Sequence, residues 1–135
     1  LPGDTPHIEN ALEPGELITG VKLPPAPKGR QMYRKVRDRA SYAFALVSVA
    51  GILAVANGRI RYAALAFGGI GTMPWRNREA ESMLLDSTVD TDLFERVADK
   101  ILADARGYGA NDFKIPLLRR TLIACLSSLA REDAL

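Results

Sequence analysis

The sequence predicts an α+β domain: a small antiparallel sheet of three to four strands packed against about three helices. Three observations carry that reading. An Asn57-Gly58 dipeptide, which tolerates positive φ at both central turn positions, separates two apolar runs and marks a two-residue hairpin. Apolar residues recur at helical spacing through the second half of the chain. The strands also come first and the helices after, rather than alternating, which favours segregated elements over a parallel sheet.

The strands follow from the hairpin outward. "LVSVAGILAVA" lies upstream of the turn and "RIRYAALAFGG" downstream. Counting from Asn57-Gly58 opposes Leu53 to Tyr62 and Val49 to Ala66, with Arg59 and Arg61 on the other face. Small residues at 50, 51, 54, 63, 64 and 66 make one side thin, so close helix packing is expected there. "RQMYRKV", residues 30–36, is a third strand with the β-like content to join them. A further extended piece, Leu17 to Leu23, is a candidate fourth.

The helices have their own signals. "RNREAESMLL" supports a short helix from about Asn77, with Ala80, Met83 and Leu84 inward. In "TDLFERVADKILADARGYG", Leu93, Val97 and Ile101 stand four apart with Phe94, Ala98, Leu102 and Ala105 beside them, a wide amphipathic stripe. Asp92 and Glu95 suit its N-terminus and Gly107 its stop. The last helix runs from about Pro116 to Ala130 on Leu118, Leu122, Leu126 and Leu129, with Pro116 in its first turn. Asn111 and Asp112 form the turn before it, and Phe113 and Ile115 are expected to bury.

Gross composition bounds the function. The chain has 135 residues, 47% hydrophobic and 25% charged, with a net charge of +2, so it can build one core and is no polycation. A single cysteine, Cys125, lies within the last helix and reads as a buried small hydrophobe. One histidine, His7, stands in a Pro-rich leader. A metal site or a histidine-based triad therefore lacks its parts. Residues 40–58 carry no charge, yet their Ala, Ser and Gly content argues against a membrane span. Residues 1–29 hold six of the eight prolines and read as lead-in and linker. With no initiating methionine, the chain is expected to be a segment of something longer.

Three clusters carry candidate chemistry. The first is cationic: Lys28, Arg30, Arg34, Lys35, Arg37 and Arg39 crowd into twelve residues, opposed only by Asp38. In a strand, Arg30 and Arg34 share one face and Lys35, Arg37 and Arg39 the other. A strand edge guarded by cations explains this pattern, and so does an anion site, because Arg and Lys grip phosphate oxygens through charge-assisted hydrogen bonds. Tyr33, Tyr42 and Phe44 could supply stacking surfaces. The second cluster, "AFGGIGTMPWR", lacks the Gly-Lys-Ser/Thr of a phosphate loop and fits a strand ending in a Gly corner anchored by Trp75. The third, "GANDFKIPLLRR", puts Arg119 and Arg120 near a helix start, poorly placed for the helix dipole, which suits a partner, an internal carboxylate or, equally, plain solvation.

In order along the chain, "ALEPGELITGVKLP", "YRKVRDRASYAFALVSVAG", "AFGGIGTMPWRNREAE" and "FKIPLLRRTL" resemble the C-terminal part of the FAD-binding (medium) subunit of molybdenum hydroxylases. That family includes carbon monoxide dehydrogenase, xanthine dehydrogenase and aldehyde oxidoreductase. "LPGDTPHIENALEPGELIT" is most similar to the bacterial aldehyde-oxidoreductase and xanthine-dehydrogenase-like branch. The resemblance implies an α+β domain over residues 30–135, preceded in 1–29 by the end of a flavin domain and a linker.

It also implies FAD, held mostly by an N-terminal domain that lies outside these residues. Molybdopterin would sit on a large partner subunit and two [2Fe–2S] clusters on a small one, in a heterotrimer or its dimer. The segment "KVRDRASYAF" would come nearest the flavin, with Lys35, Arg37, Arg39, Ser41 and Tyr42 lining it and Tyr42 as a lid. The oxidoreductase activity would belong to the complex, with no catalytic or metal-ligating residue in this fragment. The setting would be cytoplasmic, or periplasmic if a partner carries an export signal. The reading from residues alone keeps a second function open: a phosphate- or RNA-binding module built on the 28–39 stripe. The family reading involves neither nucleic acid nor membrane.

Overall fold

A computed structural model describes residues 4–5, 7–8 and 10–131. Three antiparallel strands, β1 (Arg30–Val36), β2 (Val47–Ala56) and β3 (Arg59–Gly68), form one sheet in the order β1-β2-β3. Three helices follow: α1 (Arg78–Ser82), α2 (Thr91–Leu102) and α3 (Lys114–Ala130). The sheet therefore has three strands. Residues 17–23 join no ladder and stay exposed, bounded by Pro14 on one side and Pro24 and Pro25 on the other, none of which can donate to a ladder.

The hairpin forms at Asn57-Gly58, with φ of 54° and 70° as a tight turn of this hand requires. Its register is one residue off simple counting. Ala56 faces Arg59 and Val55 faces Ile60, but Ala54 faces Tyr62, because the ladder slips between Ala54 and Val55. Beyond the slip Leu53 pairs with Ala63 and Val49 with Phe67 rather than with Tyr62 and Ala66. The bulge keeps both Ile60 and Ala63 buried while Arg61 and Tyr62 stay out.

All three helices lie on one face of the sheet. Val47, Val49, Leu53, Leu65 and Phe67 meet Leu118, Leu122, Leu126 and Leu129 of α3 and Phe94, Val97 and Ile101 of α2 in one core. The thin side is not the packed side: Ala50, Ala54, Ala64 and Ala66 face away from the helices. Only Gly51 and Ala63 bring small residues to the helix face. At Gly51 the approach is close, since an added Cβ would stand 2.8 Å from Leu129 Cδ1 and 3.4 Å from Cys125 Sγ.

Caps fix the helix starts. Asn77 Oδ1 accepts from the Ala80 N–H at 3.0 Å, and Asp90 Oδ1 from that of Asp92 at 3.3 Å. The second helix stops at Leu102, short of Gly107, as its end tightens through the Ala105 N–H to the Leu102 carbonyl (2.9 Å). Gly107 instead packs against Asp112, leaving no room for a Cβ. Asn111 and Asp112 accept from the Tyr108 and Gly109 N–H groups, building the turn the sequence indicated. The third helix begins two residues early, at Lys114. Phe113 stands at the N-cap position without a side-chain capping bond and remains 48% exposed, against expectation.

Candidate functional site at one end of the sheet

The cationic stripe divides in two. Arg30 and Arg34 turn to the helix face, opposite Leu53 and Val49. The Arg30 guanidinium donates to the Arg131 carbonyl, and Arg34 Nη2 to Ser128 Oγ at 3.4 Å. Both sit at the C-terminal end of α3, where cations complement the carbonyl-rich terminus. These two are structural clamps.

Lys35 turns to the opposite face, beside Ser48 and, across β2, Gly68. Arg37, Arg39, Ser41 and Tyr42 follow in the loop between β1 and β2, all exposed. The loop is closed at its base by the Leu46 N–H to the Val36 carbonyl (2.8 Å). Within it Arg39 donates to the Tyr42 carbonyl, and Tyr42 adopts φ of 56°. Tyr42 and Phe44 present 94% and 96% of their surface, which no folding requirement explains. Among the described residues Lys35 and Arg37 meet no carboxylate within ion-pair distance.

The Gly corner braces this loop. Gly69 (φ 75°) lies so close to it that a Cβ would stand 2.8 Å from the Leu46 carbonyl oxygen and 2.9 Å from that of Ala45. Lys114 Nζ, from the first turn of α3, donates to the Gly69 carbonyl at 2.7 Å. Trp75 anchors the segment beyond through paired backbone hydrogen bonds with Phe67, both 2.9 Å. Loop, corner and helix start thus form one end of the domain. Lys35, Arg37, Arg39, Ser41 and Tyr42 lie along the end of β1 and the loop that follows, and Lys114, which sequence reading did not single out, braces the adjoining corner. That cation shares no spacing with the stripe, and only the fold brings it close.

The remaining cationic clusters are occupied. Arg119 Nη2 reaches Asp99 at 3.1 Å, so its partner is an internal carboxylate on α2. Arg76 Nε and Nη2 grip the two oxygens of Glu81 at 2.8 and 3.0 Å, and Glu81 Oε1 also accepts from the Leu65 N–H at 2.8 Å. No group of acidic, His or Cys residues suited to a metal occurs among the described residues.

Residues 31–126 match the model of the CO dehydrogenase flavoprotein C-terminal domain. The chain belongs to that family. The CO dehydrogenase flavoprotein C-terminal fold is also what structural comparison finds: reconstituted CO dehydrogenase from Oligotropha carboxidovorans superposes with a TM-score of 0.76 at 20% identity, over 89% of this chain and 43% of that one. In sequence, this flavoprotein domain is 47% identical over 134 residues to the aldehyde oxidoreductase FAD-binding subunit PaoB of Escherichia coli (strain K12), covering 98% of this chain and 38% of that subunit. It is 29% identical over 119 residues to the carbon monoxide dehydrogenase medium chain of Afipia carboxidovorans, covering 84% and 39%. The chain therefore spans about two-fifths of the curated relatives it matches.

Proposed function

We propose that this domain caps the flavin in the FAD-binding subunit of a molybdenum-containing hydroxylase, with the 37–46 loop as the wall facing the cofactor. The observation that carries the reading is the division of the stripe. Arg30 and Arg34 are consumed at the end of α3, while Lys35, Arg37 and Arg39 stand in solvent beside two almost fully exposed aromatic rings. Charge and ring surface left this open fit a phosphate-bearing, planar redox group better than a self-contained fold.

FAD, when bound, supplies the redox chemistry, accepting electrons and passing them on. The residues here would do three things. Arg37 and Lys35 would hold positive potential near the pyrophosphate or the reduced ring, favouring the anionic forms. Arg39, by holding the Tyr42 carbonyl, would set the position of the Tyr42 ring as a lid. Lys114 and Gly69 would brace the loop from behind.

In this reading residues 1–29 complete a preceding flavin domain and link it to residues 30–135. The large molybdopterin-bearing subunit and the small [2Fe–2S] subunit are the partners, in a heterotrimer or its dimer. The setting is cytoplasmic unless a partner supplies an export signal. Among the described residues no helix is long and apolar enough to cross a membrane. The division of the stripe counts against the RNA-binding alternative, because the cations point to two faces and make no continuous track for a strand.

The test is Arg37→Ala/Arg39→Ala in the complete subunit. The FAD dissociation constant is expected to rise about tenfold, or flavin reduction to slow by a similar factor, for two lost charge-assisted contacts. Unchanged FAD affinity together with unchanged reduction kinetics would refute the assignment.

A further inference from the structure

The helix-free face of the sheet continues from Lys35, at the site above, into a surface that the site does not use. An antiparallel sheet with one face in water ordinarily alternates apolar-in with polar-out. Here the central outward positions are apolar too, with Gln31 at the β1 edge and Lys35 and Ser48 one row further on as the polar exceptions. Ala64 and Ile52 form one row, Ala66, Ala50 and Tyr33 the next, and Tyr62 flanks them beyond the bulge. The result is a shallow groove of about 390 Å³ with an alanine floor, and Tyr33 is 64% exposed along it. Its rim is electrically quiet on the β3 side, where the Arg76 charge is answered by the buried Glu81.

We propose that this face seats the preceding part of the same polypeptide, against an uncharged apolar surface of that part. The inference rests on the reading that a flavin domain precedes this one. Three observations select that occupant. The curated relative at 47% identity is covered only to 38% of its length, so such subunits carry a larger body in the same chain. The N-terminal segment leaves this domain beside the groove: Gly29 is pressed on the backbone of Leu53 and Ala54, where an added Cβ would stand 2.8 Å from the Leu53 carbonyl oxygen.

From Gly29 the six residues back to Pro24 reach at most about 20 Å, and beyond them Leu17, Ile18, Val21 and Leu23 are 65–82% exposed. A body that buries those four side chains is thereby tethered within reach of the groove. The third observation is the scarcity of unpaired charge: Arg76 in the lining is answered by Glu81, and Lys35 stands one row beyond the groove. A partner arriving by diffusion is commonly steered and selected by charge, whereas a tethered one at high effective concentration docks on plain apolar complementarity. The alanine floor lets its backbone or side chains approach closely.

Hydroxyl-radical labelling of the complete FAD-binding subunit, purified free of its partner subunits, tests this. Labelling of Tyr33 and Tyr62 is expected to be lost, while Tyr108, 86% exposed in this domain, labels fully as the internal reference. Ala50→Arg, at an exposed position, is expected to restore Tyr33 labelling with circular dichroism unchanged. Tyr33 labelling as readily as Tyr108 in the subunit alone would overturn the proposal. So would protection that arises only when the partner subunits are added, or only at raised concentration, because either gives the face to another chain. The FAD content of the same preparation separates the two readings. Bound FAD with Tyr33 labelled sinks the docking alone; a protected Tyr33 in a subunit unable to bind FAD sinks the flavin reading alone.

Discussion

Gly51 and Leu129 meet so closely that β2 has no space for a side chain at position 51: an added Cβ would lie 2.8 Å from Leu129 Cδ1. Leu129 is itself buried among α3 and the sheet, so it cannot swing clear as a surface side chain would. Gly51→Val is therefore expected to destabilise the domain by about 1–3 kcal/mol through overpacking, despite valine's better strand propensity. Chemical denaturation should show a lowered midpoint at unchanged slope. A midpoint equal to the parent's would mean that the third helix rides further from the sheet than described.

Glu81 closes the outer edge of β3. Its carboxylate accepts from the Leu65 N–H and from two nitrogens of Arg76, and its side chain is 9% exposed. Removing it by Glu81→Ala strands a backbone donor in the interior and leaves Arg76 without a counter-charge. The expected loss is about 2–3 kcal/mol, below the value for a fully buried pair because the Arg76 side chain is 46% exposed. Glu81→Gln, which can still accept from Leu65, should lose less than half of that. Equal losses for the two variants would show that the charge, rather than the edge hydrogen bond, is what matters.

The two halves of the cationic stripe should separate in one experiment. Arg30→Ala/Arg34→Ala removes the clamps on the Arg131 carbonyl and the Ser128 hydroxyl and is expected to lower stability by about 1–2 kcal/mol, since both contacts lie near the surface. Flavin properties of the complete subunit should be little changed. Arg37→Ala/Arg39→Ala should do the reverse, with stability within about 0.5 kcal/mol of the parent, as for exposed surface positions. Thermal unfolding and flavin absorbance on the parent and the two double variants read both effects. The same signature from both double variants would dissolve the division.

The three strands, the hairpin and the amphipathic helices were legible because period and turn chemistry are local properties. The hairpin's register was not, because the slip at Ala54/Val55 answers to burial of both Ile60 and Ala63 against the helices, a tertiary demand. The side of the sheet that the helices cover was misread for a related reason. A run of alanines marks closeness to something, and nothing in Ala50, Ala64 or Ala66 says whether that neighbour lies within this domain. The candidate site was legible as a cationic segment split between two faces, but not which of the two faces is structural. Alternation along β1 sends Arg30 and Arg34 one way and Lys35 the other, yet only the end of α3 shows which direction is structural. Lys114 was invisible because its contact with Gly69 joins residues 45 apart in the sequence.

Cys125 offers a test that does not depend on the flavin. It is fully buried on α3 beneath Gly51, and burial pushes its thiol above the ordinary cysteine range, with Arg34 pulling weakly the other way. A thiol that holds its proton this firmly, with no path to solvent, should react with a disulfide reagent at pH 8 only as fast as the domain opens. The sign of its pH linkage follows. Because the native thiol binds its proton more tightly than the unfolded one, its contribution to stability is complete below the ordinary cysteine pKa and disappears as pH climbs through the raised native value. Cys125→Ala, which removes the group, should flatten that alkaline decline while leaving a small cavity under Gly51. Rapid labelling in native buffer, at a rate independent of denaturant, would show that the α3–β2 contact opens freely and would remove the basis for the Gly51 prediction as well.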